Sequence, residues 1–275
     1  MKVSICGLGV MGKNHLRVSQ KLNLELNSTY DPDNGDDYEQ FLESLKSSDA
    51  LIIASPTKTH TRVILDAKKY NSELKILCEK PVSFSSEEQN VEKVLQYNDS
   101  VLIGQIERFN PVCQKMFLLA KKEEIISVKT NRVNNVPARE KIDCRKDIGI
   151  HDVDFCCALM NKKPKDIFIF NNQEKTHENL FYKIDETIVT NEVSWNYPYK
   201  NRTFEVLTKN GVYKGNFYHQ TLSFFDWTGE EKQIEIEKME PLEREILFLK
   251  QMVEKNALPK VTIEDNLQIL KLMGY

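Results

Sequence analysis

Apolar positions in the first hundred residues fall into short runs separated by amphipathic stretches. Val3 to Cys6 is a brief, β-branched run. Leu24 to Tyr30 reads as a second strand, closed by the turn-rich Asp31-Pro32-Asp33-Asn34-Gly35. Asp49 to Ala54 is apolar almost throughout, the pattern of a parallel strand covered on both faces, and Leu74 to Cys78 and Val101 to Gly104 repeat it. Between these runs the spacing predicts helices over 13–22, 38–45, 60–69 and 86–96. Such alternation with short connections predicts a doubly wound parallel sheet.

Past about residue 110 the rhythm changes. Helices are expected over 111–122 and 147–160, with a strand over 125–133 between them. Strands then follow one another over 166–170, 187–195, 203–207 and 211–217, and helical patterns cover 242–255 and 262–273. Successive strands without intervening helices predict a mostly antiparallel open sheet. The expected class is α/β, with one domain over 1–110 and an α+β domain over 111–275.

Composition narrows the options. The 275 residues are 40% hydrophobic and 29% charged, with a formal net charge of −3, which argues against a non-specific nucleic-acid binder. The chain has no apolar run long enough to span a membrane, and a strand pattern begins so near Met1 that no leader is expected. The six cysteines lack C-x-x-C spacing, and Cys6, Cys78 and Cys156 sit among apolar neighbours. They read as reduced thiols in a cytoplasmic core rather than a disulfide framework or zinc site. No metal site is expected.

Gly7-Leu8-Gly9-Val10-Met11-Gly12 fits G-x-G-x-x-G between a predicted strand and a predicted helix. The first glycine permits a tight turn, the second admits a pyrophosphate close to the backbone, and the third lets helix and strand pack closely. The helix N-terminus offers unpaired N–H groups to the phosphates. Asp31 ends the second strand 19 residues beyond Gly12. A carboxylate there accepts hydrogen bonds from ribose hydroxyls and repels a 2′-phosphate, which favours NAD over NADP. The first domain is therefore expected to be a Rossmann domain.

Four further stretches follow in order: Ser55-Pro56-Thr57, Glu79-Lys80-Pro81, Glu107-Arg108-Phe109-Asn110-Pro111 and Asp147-Ile148-Gly149-Ile150-His151-Asp152-Val153-Asp154. With the glycine turn they resemble the Gfo/Idh/MocA family of sugar and cyclitol oxidoreductases. The resemblance spans residues 7–154. It implies that Lys80 contacts the reacting hydroxyl, that His151 accepts its proton, and that Asp147 assists His151 or binds substrate. It places cofactor contacts at Gly7, Gly9, Val10, Met11, Gly12, Asp31, Ser55, Pro56, Thr57, His60, Glu79 and Lys80. Residues four apart share one helix face, so the Asp147–His151 spacing suits a carboxylate that orients an imidazole.

The segment 129–146 carries Lys129, Arg132, Arg139, Lys141, Arg145 and Lys146 against Glu140 and Asp143. Arginine forks suit phosphate and carboxylate. The 107–111 stretch resembles family members that act on UDP-N-acetylglucosamine at C3. A sugar nucleotide is thus the expected substrate, contacted by Lys80, Arg108, Asn110, Arg132, Arg139, Asp147 and His151. An inositol or free-sugar dehydrogenase, or a nicotinamide-binding regulator of the same fold, is the alternative. A homodimer or homotetramer through the C-terminal sheet is expected.

Overall fold

A computed structural model describes residues 1–85, 90–135 and 143–275 and divides the chain into two units. Along the chain the first part runs β1 (Lys2–Cys6), α1 (Val10–Lys21), β2 (Glu25–Tyr30), α2 (Tyr38–Ser44), β3 (Ala50–Ile53), α3 (His60–Tyr70), β4 (Lys75–Glu79), α4 (Val91–Val94) and β5 (Val101–Gly104). Next come α5 (Pro111–Ala120), β6 (Ile125–Asn135), a π-helical turn (Arg145–Gly149) and α6 (Ile150–Met160). The strands that follow are β7 (Phe168–Asn171), β8 (His177–Ile184), β9 (Thr187–Ser194), β10 (Asn196–Thr208), β11 (Gly211–Asn216), β12 (Thr221–Asp226) and β13 (Glu231–Ile234). The chain closes with α7 (Pro241–Lys255) and α8 (Ile263–Leu272).

In the first unit the five strands are all parallel, in the order β2-β1-β3-β4-β5. Every residue of β3 and β5 is buried, because a parallel sheet with helices on both faces leaves neither side to solvent. The chain winds one way from β1 to β2 and the other way to β3, so the turns after β1 and β3 lie at the switch point of the sheet. Of the helix expected over 86–96, residues 86–89 lie outside the described residues and α4 covers Val91–Val94.

The second unit holds an eight-stranded sheet in the order β13-β12-β11-β10-β6-β9-β8-β7. Its pairs are antiparallel except β6 with β9. One face is covered by α5 and α6, where Phe155 packs on Phe117, Phe204 and Phe217 at centroid distances of 4.9–5.6 Å. Strand β8 adds to the strands expected from sequence. Glu178, Leu180, Tyr182 and Ile184 turn inward while Phe181 and Lys183 turn out, a period-two pattern diluted by its charged residues.

The domain assignment needs a correction at the C-terminus. Residues Glu240–Lys271 belong to the first unit, not to a second domain running to residue 275. The reason lies in the apolar face of α7: Leu242, Ile246, Leu249 and Met252 recur at helical spacing and are buried, with α7 packed on α1, β3 and β4.

Glu245 lies on that same inward side of α7, nearly fully buried, and its carboxyl oxygens have no hydrogen-bond partner among the described residues. Burial, with the charge of Glu79 added, pushes this carboxyl well above its ordinary value. The folded chain therefore holds a proton that the unfolded chain releases above about pH 4.3, and this group favours folding less as pH rises from there toward its folded value. Glu245→Gln, neutral at every pH, is expected to lose less stability than the parent between pH 6 and pH 8.5. Urea midpoints of both proteins at the two pH values check this; equal losses would contradict it.

Candidate active site

The three glycines of the first turn answer three different constraints. Gly7 has φ +93°, and a Cβ there would sit 2.5 Å from the Ser55 backbone nitrogen. A Cβ on Gly12 would lie 1.8 Å from the Gly7 carbonyl oxygen. Gly9 has no atom within 4 Å of where its Cβ would be, so its flank is open to a ligand. Gly9 also stands at the N-cap of α1 without a side-chain cap, leaving first-turn N–H groups for an anion, and Val10 beside it is 82% exposed. Met11 is half-buried. These features fit the pyrophosphate of a dinucleotide.

Asp31 ties the end of β2 to that turn. It accepts hydrogen bonds from the Leu8 and Asp33 backbone N–H groups, the second capping the 3-10 turn Pro32–Asn34. A carboxylate has about four lone-pair positions, so capacity for ribose hydroxyls remains.

Ser55, Pro56 and Thr57 form the turn after β3, with Ser55 Oγ 2.7 Å from Thr59 Oγ1. His60, expected at the cofactor, is buried instead. Its Nε2 lies 2.8 Å from the Ser55 carbonyl and its Nδ1 2.9 Å from the Pro81 carbonyl. Backbone carbonyls on both sides of the ring hold the imidazole in place. His60 thus joins the β3 turn to the loop that carries Lys80. The same loop is held from α8, where Asn266 Oδ1 accepts from the Val82 N–H at 3.0 Å. The Lys80–Pro81 peptide is cis.

Glu79 turns toward α1, 2.7 Å from His15 Nε2. Burial alone would raise its carboxyl, but the hydrogen bond and charge of His15, with Lys80 and His60, hold it below its ordinary value. His15 and Asn266 are positions that sequence spacing gives no reason to select, because their partners are 64 and 184 residues away.

In the second unit the expected helix over 147–160 starts instead as a π-helical turn, Arg145–Gly149, and continues as α6. Asp147 lies in the turn and His151 at the start of α6, both buried. π-Helical turns are uncommon and cluster at functional sites.

Three of the expected substrate contacts have partners inside the protein. Arg132 is 2% exposed; its Nε donates to Asp152 at 2.9 Å and its Nη2 to Glu107 at 2.9 Å, with the Phe217 ring 5.0 Å away. Arg108 makes a two-pronged pair with buried Asp154 at 2.6 and 2.9 Å. Asn110 caps α5 through the Val112 N–H and donates to Glu107 and to the Phe217 carbonyl. Arg139 lies outside the described residues. Among the described residues of the 129–146 segment, Lys129 is exposed, while Arg145 is buried against Asp143 and Glu178. Alternation along β6 sends Lys129 and Arg132 to opposite faces. Among the described residues no group of three or more His, Cys, Asp or Glu is placed to hold a metal.

The His60 contacts make a direct prediction. His60→Ala removes the ring's bonds to the buried Pro81 carbonyl and the half-buried Ser55 carbonyl and is expected to cost about 1–3 kcal/mol of stability. Chemical denaturation checks it, and a loss below the error of the fit would contradict it.

Comparison with known proteins places this geometry. Residues 1–101 match the Gfo/Idh/MocA model, described as an oxidoreductase family with an NAD-binding Rossmann fold. The oxidoreductase YrbE of Bacillus subtilis (strain 168) is 28% identical over 130 residues, 44% of this chain and only 38% of that relative's length. A UDP-N-acetylglucosamine 3-dehydrogenase from Acidithiobacillus ferrooxidans shares the fold with a TM-score of 0.85 at 19% identity, covering 98% of this chain and 94% of that one. A dehydrogenase from Clostridium difficile gives 0.81 at 17% identity, covering 99% and 97%. Residues 1–101 are thus similar to the NAD-binding Rossmann fold of the Gfo/Idh/MocA oxidoreductase family, and the whole chain shares the fold of the two dehydrogenases.

Proposed function

We propose that the chain oxidises a secondary hydroxyl of a sugar or sugar nucleotide to a ketone, with the C3 hydroxyl of UDP-N-acetylglucosamine as the favoured target. The observation that carries this reading is the fixed loop after β4, where Lys80 stands at the carboxyl edge of the parallel sheet between the His60 and Asn266 anchors. The likeness to the Acidithiobacillus enzyme supports the choice of substrate.

Gly7, Gly9, Val10, Met11, Gly12, Asp31 and the Ser55-Pro56-Thr57 turn hold NAD, which when bound supplies the hydride acceptor. Asp31 disfavours a 2′-phosphate and so NADP. His151 takes the proton of the substrate hydroxyl, and Asp147, four residues before it, orients and supports the imidazolium that results. Lys80 stabilises the negative charge that develops on the substrate oxygen. The six cysteines, all free and buried, support a reducing, cytoplasmic setting.

Turnover of UDP-sugars, free sugars and inositols, each with NAD and with NADP, tests the assignment through formation of the reduced cofactor. Lys80→Met and His151→Ala are expected to lower kcat by about 100-fold or more while leaving NAD affinity within a few-fold. Full turnover in either variant would remove that residue from the mechanism.

The second unit is proposed to pair with another copy of the chain. The face of its sheet opposite α5 and α6 exposes Phe168 (66%), Phe170 (66%), Phe181 and Ile188, with the Phe170 and Phe181 rings 5.7 Å apart. Such a patch at a sheet edge favours a partner. Light scattering is expected to show a dimer or tetramer that Phe168→Lys/Phe181→Lys dissociates; a monomeric parent would contradict it.

A further inference from the structure

Strand β10 carries Lys200 and Arg202 two residues apart, and each feels the charge of Arg132. In the β6–β10 register Arg202 stands directly opposite Arg132. Like charges facing each other across two strands are destabilising unless something compensates them. For Arg132 the compensation is complete, since Glu107 and Asp152 both bind its guanidinium. Arg202 and Lys200 have no carboxylate within ion-pair distance among the described residues, although Arg202 is half-buried.

The electrostatics follow the geometry. Burial, then Arg132, holds Arg202 below its ordinary value, while Glu107, Asp152 and Asp147 pull weakly the other way. Lys200 is lowered by burial, then by Arg202 and Arg132. The carboxylates of this region are engaged elsewhere, and a positive field is left at β10. An aromatic surface lies beside it. Lys200 Nζ sits 4.1 Å from the centroid of the Tyr218 ring, which is 62% exposed, and the Phe217 N–H donates to the Arg202 carbonyl at 2.9 Å, fixing that turn against the strand.

We propose that Lys200 and Arg202, with Tyr218 beside them, form an anion subsite that takes the phosphate groups of the substrate. The inference rests on reading the second unit as the half that holds a sugar substrate. A guanidinium fork and an ammonium two residues apart match the spread charge of a diphosphate better than a single carboxylate. An incoming diphosphate supplies the counter-charge that Arg202 lacks, and the sugar's phosphate end is thereby assigned to β10 rather than to the 129–146 segment.

The test is calorimetric titration of the full chain with UDP, inorganic pyrophosphate and uridine, with NADH saturating so that the glycine turn is filled. The parent is expected to bind UDP and pyrophosphate, and uridine at least tenfold more weakly. Arg202→Gln should weaken UDP and pyrophosphate at least tenfold, Lys200→Gln less, and Arg202→Lys should recover part of the loss. NADH affinity should stay within twofold. Without ligand, Arg202→Gln should keep or raise the thermal midpoint, because it removes a charge facing Arg132; a lowered midpoint would show Arg202 to be structural and overturn the proposal. So would undiminished UDP and pyrophosphate binding in Arg202→Gln, or equal binding of UDP and uridine by the parent. Oxidation of a free sugar without pyrophosphate binding would overturn the subsite and leave the dehydrogenase reading intact. Arg202-dependent pyrophosphate binding with no oxidation of any sugar nucleotide would support the subsite and defeat that reading.

Discussion

The buried guanidinium of Arg132 organises the second unit. Glu107 before α5, Arg132 on β6 and Asp152 on α6 converge on one charge that is almost wholly removed from water. A buried ion pair of this kind adds little stability against an apolar replacement, but breaking it strands a charge and costs several kcal/mol. It therefore fixes how α6 lies on the sheet. Asp147 and His151 stand within five residues of Asp152, so their placement follows from that anchor. The desolvation is evident in Asp152, whose carboxyl is pushed up to about 6 by burial even though Arg132 pulls it down.

A corresponding constraint shapes the first unit, and it is steric. The Gly7 turn touches the Ser55 turn on one side and Gly12 on the other, at separations that no side chain could enter. That contact brings the ends of β1 and β3 together at the switch point, where His60 reaches from the β3 turn to the Pro81 carbonyl. Glu79, hydrogen-bonded to His15, and the Val82 N–H, held by Asn266, complete the support of the Lys80 loop. Several buried polar residues around Lys80 thus bind one another and the backbone, and position the lysine through the loop that carries it.

Polar residues near the proposed chemistry fall into two groups by what they bind. Arg108, Asn110, Arg132 and Arg145 have partners inside the protein. Lys200 and Arg202 do not have carboxylate partners among the described residues, and the difference arises because the local carboxylates are already engaged. Charge type in the sequence is the same for both groups, whereas the availability of the charge differs.

Alternating apolar runs, the glycine turn and Asp31 carried the Rossmann half in the residues alone, because strand and helix periodicity and the steric needs of a tight turn are local properties. Lys80, Asp147 and His151 were legible as candidates for the same reason: each lies in a short stretch beside a recognisable element boundary. The partners of each side chain were decided only by the tertiary structure. His60 looked available to a cofactor until Pro81, 21 residues away, was folded against it. Arg132 looked available to a phosphate until Glu107 and Asp152 closed on it, and α7 and α8 looked like the tail of the second domain until their apolar faces returned to the first. Local patterning specifies the elements and where chemistry can be carried, but burial and long-range pairing determine which charged groups remain open to a ligand.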